Sequence, residues 1–157
     1  MTYLAGVNLT NVRTNTEGPE FKLGTVHRAY DGKAYKYVQF NDGVGNVASV
    51  AGNFAYYYAV SGVSAGQTDI VTMDVTDSGN VGAGVFQAVI ADLGYGWIQT
   101  RGPATLTTAL VSGADGNALM ASATTDGTLK VSAAVTDFIC AVAIDASAKI
   151  VMLTCPD

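Results

Sequence analysis

Residues 25–40 read TVHRAYDGKAYKYVQF, two short runs rich in β-branched and aromatic residues on either side of Asp31-Gly32. β-branched and aromatic side chains fit a pleated, half-buried surface. Asp-Gly between two such runs is a strong short-range hairpin signal, since a type I′ turn needs positive φ at both central residues. Strands are therefore expected over Thr25–Tyr30 and Ala34–Phe40. In the second, Tyr35 and Tyr37 fall on one side and Ala34, Val38 and Phe40 on the other, with Lys36 interrupting the apolar row.

The pattern repeats along the chain. Val47–Val60, with its run Tyr56-Tyr57-Tyr58, reads as a strand, and Ile70–Thr76 alternates Val71, Met73 and Val75 against Thr72 and Asp74. Val85–Ala91, Trp97–Arg101, Thr105–Val111, Ala118–Thr124, Thr128–Ala133, Phe138–Ile144 and Ile150–Cys155 complete the series. Four aspartates, Asp31, Asp42, Asp115 and Asp126, precede glycine and are assigned to turns. A helix is conceivable only over Leu110–Ala121, where Gly113 and Gly116 oppose it. The expected fold class is all-β, a compact β-sandwich or barrel of short antiparallel strands. Residues 1–22 hold no period of 2 or 3.6 and are assigned to an extended N-terminal arm that packs on a partner or neighbouring subunit; residues 23–157 form the β-domain.

Composition narrows the function classes. Of 157 residues, 49% are hydrophobic and only 13% charged, with a net charge of −5, the opposite of a disordered chain. The acidic balance argues against nucleic acid as the main partner, since such a partner needs clustered Lys and Arg to displace counterions. Charge is uneven, five basic and four acidic groups before residue 69 against three and nine after it. The longest apolar runs, such as Phe54–Val60 and Phe138–Ile144, are far shorter than the about 20 residues of a spanning helix. The start, MTYLAGVNLT, lacks the basic and apolar regions of a secretory signal, so synthesis in a reducing cytosol with free thiols is expected. Two cysteines, Cys140 and Cys155, are too few for a disulfide framework, although a hairpin turning near Ser147 would bring them to one face. Two separate buried thiols are the plainer reading.

No catalytic, cofactor-binding or metal-binding set emerges. The single histidine, His27, has no carboxylate near it in sequence and reads as an ordinary strand residue. No serine sits in a G-x-S-x-G elbow. Glu17 and Glu20, the two glutamates, lie in the arm. Asp74, Asp77, Ser78 and Asn80 offer oxygens of the kind calcium loops use, at the wrong spacing, and read as a turn after a strand. Gly82-Ala-Gly84 and Gly94-Tyr-Gly96 are too short for dinucleotide fingerprints. Asn8-Leu9-Thr10 fits the glycosylation pattern without a secretory context. Alternation requires at least one of Tyr56–Tyr58 to point outward or into a subunit contact, and Trp97 reads as a core or interface residue.

Four stretches resemble the capsid decoration, or cement, proteins of tailed bacteriophages: LGTVHRAYDGKAYKYVQFNDG at 23–43, GYGWIQTRGPA at 94–104, GNALMASATTDGTLKVSAA at 116–134 and AVAIDASAKIVMLTC at 141–155. Together they cover about half the chain. The resemblance implies a structural virion protein, made in the host cytoplasm, that binds the major capsid protein on the outer surface of the head and stabilises the shell. It implies a homotrimer without enzyme activity, cofactor, specific nucleic acid or membrane. The competing expectation is a tail-associated or host-surface domain binding carbohydrate through exposed tyrosines; a small hydrolase and a free-standing scaffold are the remaining classes.

Overall fold

The computed structural model describes residues 6–59 and 69–157. Among them there is no helix, hence none long and apolar enough to cross a membrane. Ten strands are present: β1 (Val26–Arg28), β2 (Ala34–Phe40), β3 (Phe54–Tyr58), β4 (Ile70–Thr72), β5 (Ser78–Phe86), β6 (Tyr95–Thr105), β7 (Ala118–Ala121), β8 (Leu129–Val131), β9 (Ala141–Asp145) and β10 (Ile150–Thr154). The expected all-β class holds, and the architecture is a barrel with further strands outside it. β2, β4, β3, β5 and β6 pair in that order, and β6 closes the circuit on β2 through pairs running from Ala34↔Arg101 to Gln39↔Tyr95. Among the described residues every pairing between two of these strands is antiparallel except β2 with β4. β1 lies against the first half of β2, outside the ring.

β6 belongs to two sheets. Its first half is barrel wall; beyond Thr100 it pairs β10, starting a second sheet in the order β6-β10-β9-β7-β8. At the switch, the Gln99 side chain donates to the carbonyls of Arg101 and Pro103, both at 3.0 Å. The terminal strands of the whole array, β1 and β8, have three residues each.

Three apolar clusters follow from the strand alternation. Inside the barrel lie Val38, Phe40, Ala55, Val71, Met73, Ala83, Phe86, Ile90 and Ile98. The outer face of β3 and β5, through Phe54, Tyr56 and Val85, packs on the inner face of the second sheet, including Leu119, Leu129, Ala143, Val151 and Leu153. The outer face of β2 and β6 presents Tyr35, Tyr37, Tyr95 and Trp97, and there the arm covers it with Val7, Leu9 and Phe21.

The arm is thus a layer of the chain's own domain, which differs from the expectation that it packs on a partner. Over its described residues, 6–22, it has no strand of its own, yet Arg13 makes a two-way main-chain bridge with Tyr95 (2.9 and 2.8 Å), and the Glu20 amide donates to the Tyr37 hydroxyl at 3.1 Å. Gly94 makes the bridge possible, because a Cβ there would stand 2.7 Å from the Arg13 carbonyl oxygen. Sequence patterning does not reveal this anchoring, because the arm's apolar residues have no regular period.

Several expected boundaries are corrected. Residues 47–53 and 87–91 are not strand, and Thr105–Val111 contributes only the last residue of β6 and a bridge at Val111. Residues 78–84, whose Ser78 and Asn80 read as a turn, are the larger part of β5. Val60 lies outside the described residues. The small residues of β5 allow close approach: a Cβ on Gly82 would be 2.8 Å from the Phe54 ring, and one on Gly84 would collide with the Gln99 carbonyl oxygen. Gly82-Ala-Gly84 is therefore barrel wall. The Asp-Gly turns are not type I′, since the glycines have φ between 71 and 90° while the aspartates before them do not reach positive φ. In the β1–β2 connection the Gly32 amide donates to the Ala29 carbonyl (3.1 Å) and the Ala29 amide to that of Lys33 (2.9 Å), a longer loop closed by a left-handed glycine. The 110–117 segment, with positive φ at Ser112, Gly113 and Gly116, is irregular as expected.

Candidate interaction surface

The clearest unpartnered feature is the outer face of the second sheet. Alternation along β9 buries Ala141 and Ala143 and turns Val142 and Ile144 outward; along β10 it buries Val151 and Leu153 and turns Met152 outward. Register places Pro103, Met152, Val142 and Ala118 side by side across four strands. Val142 is 38% exposed, Met152 40% and Ile144 44%. No charged side chain interrupts that row. The charges flanking it are Arg101 opposite Thr154, Asp145 opposite Ile150 and Lys130 opposite Met120, beside Ala118. Arg101 is itself paired, since the Asp157 carboxylate accepts from Arg28 and from the Thr100 hydroxyl at 2.8 Å and forms an ion pair with Arg101 at 3.3 Å. A contiguous apolar surface with a polar rim is the usual make-up of a protein contact. The tip of the β1–β2 connection adds Tyr30, 99% exposed.

The residues singled out in the sequence mostly serve the fold. Tyr56 is buried, and its hydroxyl takes the Thr128 amide at 2.8 Å and gives its proton to the Thr128 carbonyl at 2.5 Å, tying β3 to the β7–β8 connection. Burial pushes its phenol far above the ordinary value. Tyr57 points into the barrel, where its hydroxyl accepts from Lys36 Nζ at 3.0 Å; Lys36 also pairs with Asp69 at 3.1 Å. Burial lowers the Lys36 pKa, but the hydrogen bonds and charges of Tyr57 and Asp69 outweigh it and the net shift is upward. The lysine that interrupts the apolar row of β2 is thus an internal ion pair. Tyr58 is half-buried near Asp77, Asp74, Asp42 and Asp92, and burial followed by these carboxylates raises its pKa.

Asp74 and Asp77 bind main chain. Asp74 accepts from the Thr76 amide (2.8 Å) and hydroxyl (2.6 Å) and from the Gly45 amide (3.1 Å), and Asp77 accepts from the Val44 amide at 2.6 Å. Burial raises the Asp74 pKa, but these hydrogen bonds prevail and lower it. The pair clamps the 43–46 loop, and among the described residues no group of three His, Cys, Asp or Glu side chains converges as a metal site. Partial burial, then the neighbouring Asp92 carboxylate, push Asp42 up. Asp115 and Asp126 reach distant amides, those of Ala146 (2.8 Å) and Val75 (2.9 Å), so these turn aspartates also staple separate segments.

His27 stacks on Tyr35 (6.2 Å between ring centroids) and sits edge-on to Trp97 at 6.3 Å. Its Nδ1 and the Trp97 Nε1 are buried without a hydrogen-bond partner among the described residues. Glu17 accepts from Thr14 within the arm and Asn8 Oδ1 from the Thr10 amide and hydroxyl, local turns that shape its course. Two surface cavities stand out among the described residues. One of about 500 Å³ lies where β5 and β6 diverge, beside Gln87, Gln99 and Lys33; one of about 660 Å³ is bounded by Leu110, Asp115 and Ser147. In the second, the Asp115 carboxylate accepts from the Ala146 amide at 2.8 Å and the Ser147 hydroxyl donates to Asp145 at 2.7 Å. No family model, curated protein or solved structure matches the chain.

Proposed function

We propose that this chain is a capsid decoration protein of a tailed phage. In this reading it binds the major capsid protein on the outside of the head, as a homotrimer, and stabilises the shell by bridging neighbouring subunits without catalysis. The single observation that carries the reading is the uncharged apolar row Pro103–Met152–Val142–Ala118 on a face that no other part of the described chain covers. Such a row suits a contact with other protein, because charged groups are depleted at the centre of interfaces. Weak contacts of this kind, repeated by symmetry, give large avidity. The resemblance of the 23–43, 94–104, 116–134 and 141–155 stretches to decoration proteins supplies the identity of the partner. In the carbohydrate reading the tyrosines stack on sugar, but Tyr56 and Tyr57 are committed to internal hydrogen bonds, leaving the exposed Tyr30 and the half-buried Tyr58 as candidate stacking residues among the described ones.

The test is to add the purified protein, wild type or Val142→Asp/Met152→Asp, to heads lacking it. Wild type is expected to co-sediment with heads and to raise the temperature at which they release DNA. The double variant, folded by circular dichroism, is expected to do neither. Heads equally stable with and without the protein, together with its recovery on tails and loss of that binding in Tyr30→Ala, would replace the cement role by the host-surface one.

A further inference from the structure

Cys140 stands immediately before β9 and Cys155 immediately after β10, and both are 0% exposed in the same apolar cluster. The Thr154 amide donates to the Cys140 carbonyl at 2.8 Å, and the Cys155 thiol lies 3.5 Å from that same oxygen. Cys155 is thus one ladder position away from the residue opposite Cys140. Such neighbours have Cα atoms about 6 Å apart, inside the range that a disulfide spans. Alternation along β9 would turn Cys140 outward with Val142, but its side chain lies in the core, 3.8 Å from the Leu119 carbonyl oxygen. Its sulfur presses on Gly82, where a Cβ would come within 2.7 Å of it.

We propose that Cys140 and Cys155 are a latent disulfide site, open to small-molecule disulfides such as oxidised glutathione, whose closure locks the β9–β10 pair. This inference is independent of the capsid role. Cys155 reacts first. The 155–157 segment is held by the Cys155 amide bond to the Thr100 carbonyl (3.0 Å) and by the contacts of Asp157, so its release is a local event. The Cys155 thiol loses its proton, its sulfur attacks one sulfur of oxidised glutathione, the S–S bond breaks, and one glutathione leaves as thiol. The Cys140 thiol then loses its proton and attacks the Cys155 sulfur of the mixed disulfide, releasing the second glutathione. Two protein thiols are oxidised, one small disulfide is reduced, and the two protons end on the two glutathione sulfurs. In the closed fold the Cys140 thiol alongside and burial both push the Cys155 thiol's pKa up, so oxidation waits on the opening.

The experiment is incubation of the full, folded chain with oxidised glutathione, followed by acid quench, alkylation and peptide mapping. The expected result is a monomer with no alkylatable thiol, one Cys140–Cys155 linked peptide pair and no retained glutathione. Its midpoint should rise by roughly 5–10 °C, as closing a loop of this length in a domain of this size implies, and fall back on reduction. Cys140→Ser should instead retain glutathione on Cys155. A wild-type chain that keeps glutathione on one cysteine, forms intermolecular dimers, or shows no reaction while native would overturn the assignment. Mapping the wild type needs no variant to fold.

Discussion

Replacing Trp97 by alanine tests whether the arm and barrel share one core. Trp97 is 1% exposed, with the Tyr37 ring 5.1 Å and the Phe21 ring 5.4 Å from it, centroid to centroid. Truncating a buried Trp or Phe costs about 3–5 kcal/mol. Here part of that is offset, because the buried indole N–H meets no acceptor among the described residues, and removing an unsatisfied donor returns about 1–3 kcal/mol. The expected net loss is about 1–3 kcal/mol, or roughly 3–10 °C in midpoint for a domain of this size. Trp97→Phe keeps an aromatic ring and drops the N–H, and is expected to cost less than about 1.5 kcal/mol. Phe21→Ala sits on the arm side of the same contact, so the double variant should show a coupling of about 0.5–1.5 kcal/mol. Guanidinium unfolding followed by far-UV circular dichroism reads wild type and all four variants alike, since Trp97 is the sole tryptophan and its fluorescence is lost wherever position 97 is changed. An unchanged midpoint in Trp97→Ala, or zero coupling with Phe21→Ala, refutes a common core. Equal damage from Phe and Ala at 97 would mean that the indole N–H is satisfied.

Three further outcomes are expected. Lys36→Met strands the Asp69 carboxylate and should lower stability by about 2–4 kcal/mol. Because Lys36 has a raised pKa in the fold, its contribution is full below the unfolded value near ~10.4 and is lost as pH rises through the folded one, so urea midpoints of wild type and variant should converge in strong alkali. Asp74→Asn turns one of the two acceptor oxygens, Oδ1 on Thr76 or Oδ2 on Gly45, into a donor facing another donor and should cost about 1–3 kcal/mol. Since the Asp74 pKa is lowered, that stability is present above the unfolded value near ~3.9 and is lost as pH falls through the folded one, so the difference from wild type should shrink in acid. Gly84→Ala would drive a methyl into the Gln99 carbonyl oxygen, and is expected to lower the melting midpoint by at least as much as Trp97→Ala; a neutral effect would show that β5 and β6 can separate there.

β2 and β10 lie close to where their patterns place them, and β9 begins three residues later than expected, at Ala141; Ile70–Thr76, the cleanest alternation, is strand only over Ile70–Thr72, because Asp74 turns back onto the Thr76 and Gly45 amides. β5 was not legible, because Ser78-Gly79-Asn80 carries turn chemistry and its glycines are selected by close approach to Phe54, Cys140 and Gln99, which only the closed barrel reveals. The arm's course depends on a few scattered side chains, Val7, Leu9 and Phe21, meeting aromatics from two distant strands, and no local period encodes that. Lys36 stood out as an interruption, but its partners come from 21 residues on, at Tyr57, and from Asp69, so the ion pair was invisible. The apolar row was half visible. Val142, Ile144 and Met152 look like core residues in a list, and only register and the burial of Ala141, Ala143 and Val151 show that they are the outward set.

The two ends of the strand array bear on how copies of this chain meet. An unpaired strand edge is a template that any passing β-segment can extend, and in a concentrated population it leads to open-ended fibres. Here the ends are the three-residue β1 and β8, and the latter is further blocked by the parallel bridge from Val111 to Lys130. There is little backbone left to propagate a ladder from one molecule to the next. Any contact between copies is thereby left to side-chain surfaces, where a symmetric face closes on itself, and turned away from growth along a hydrogen-bonding axis.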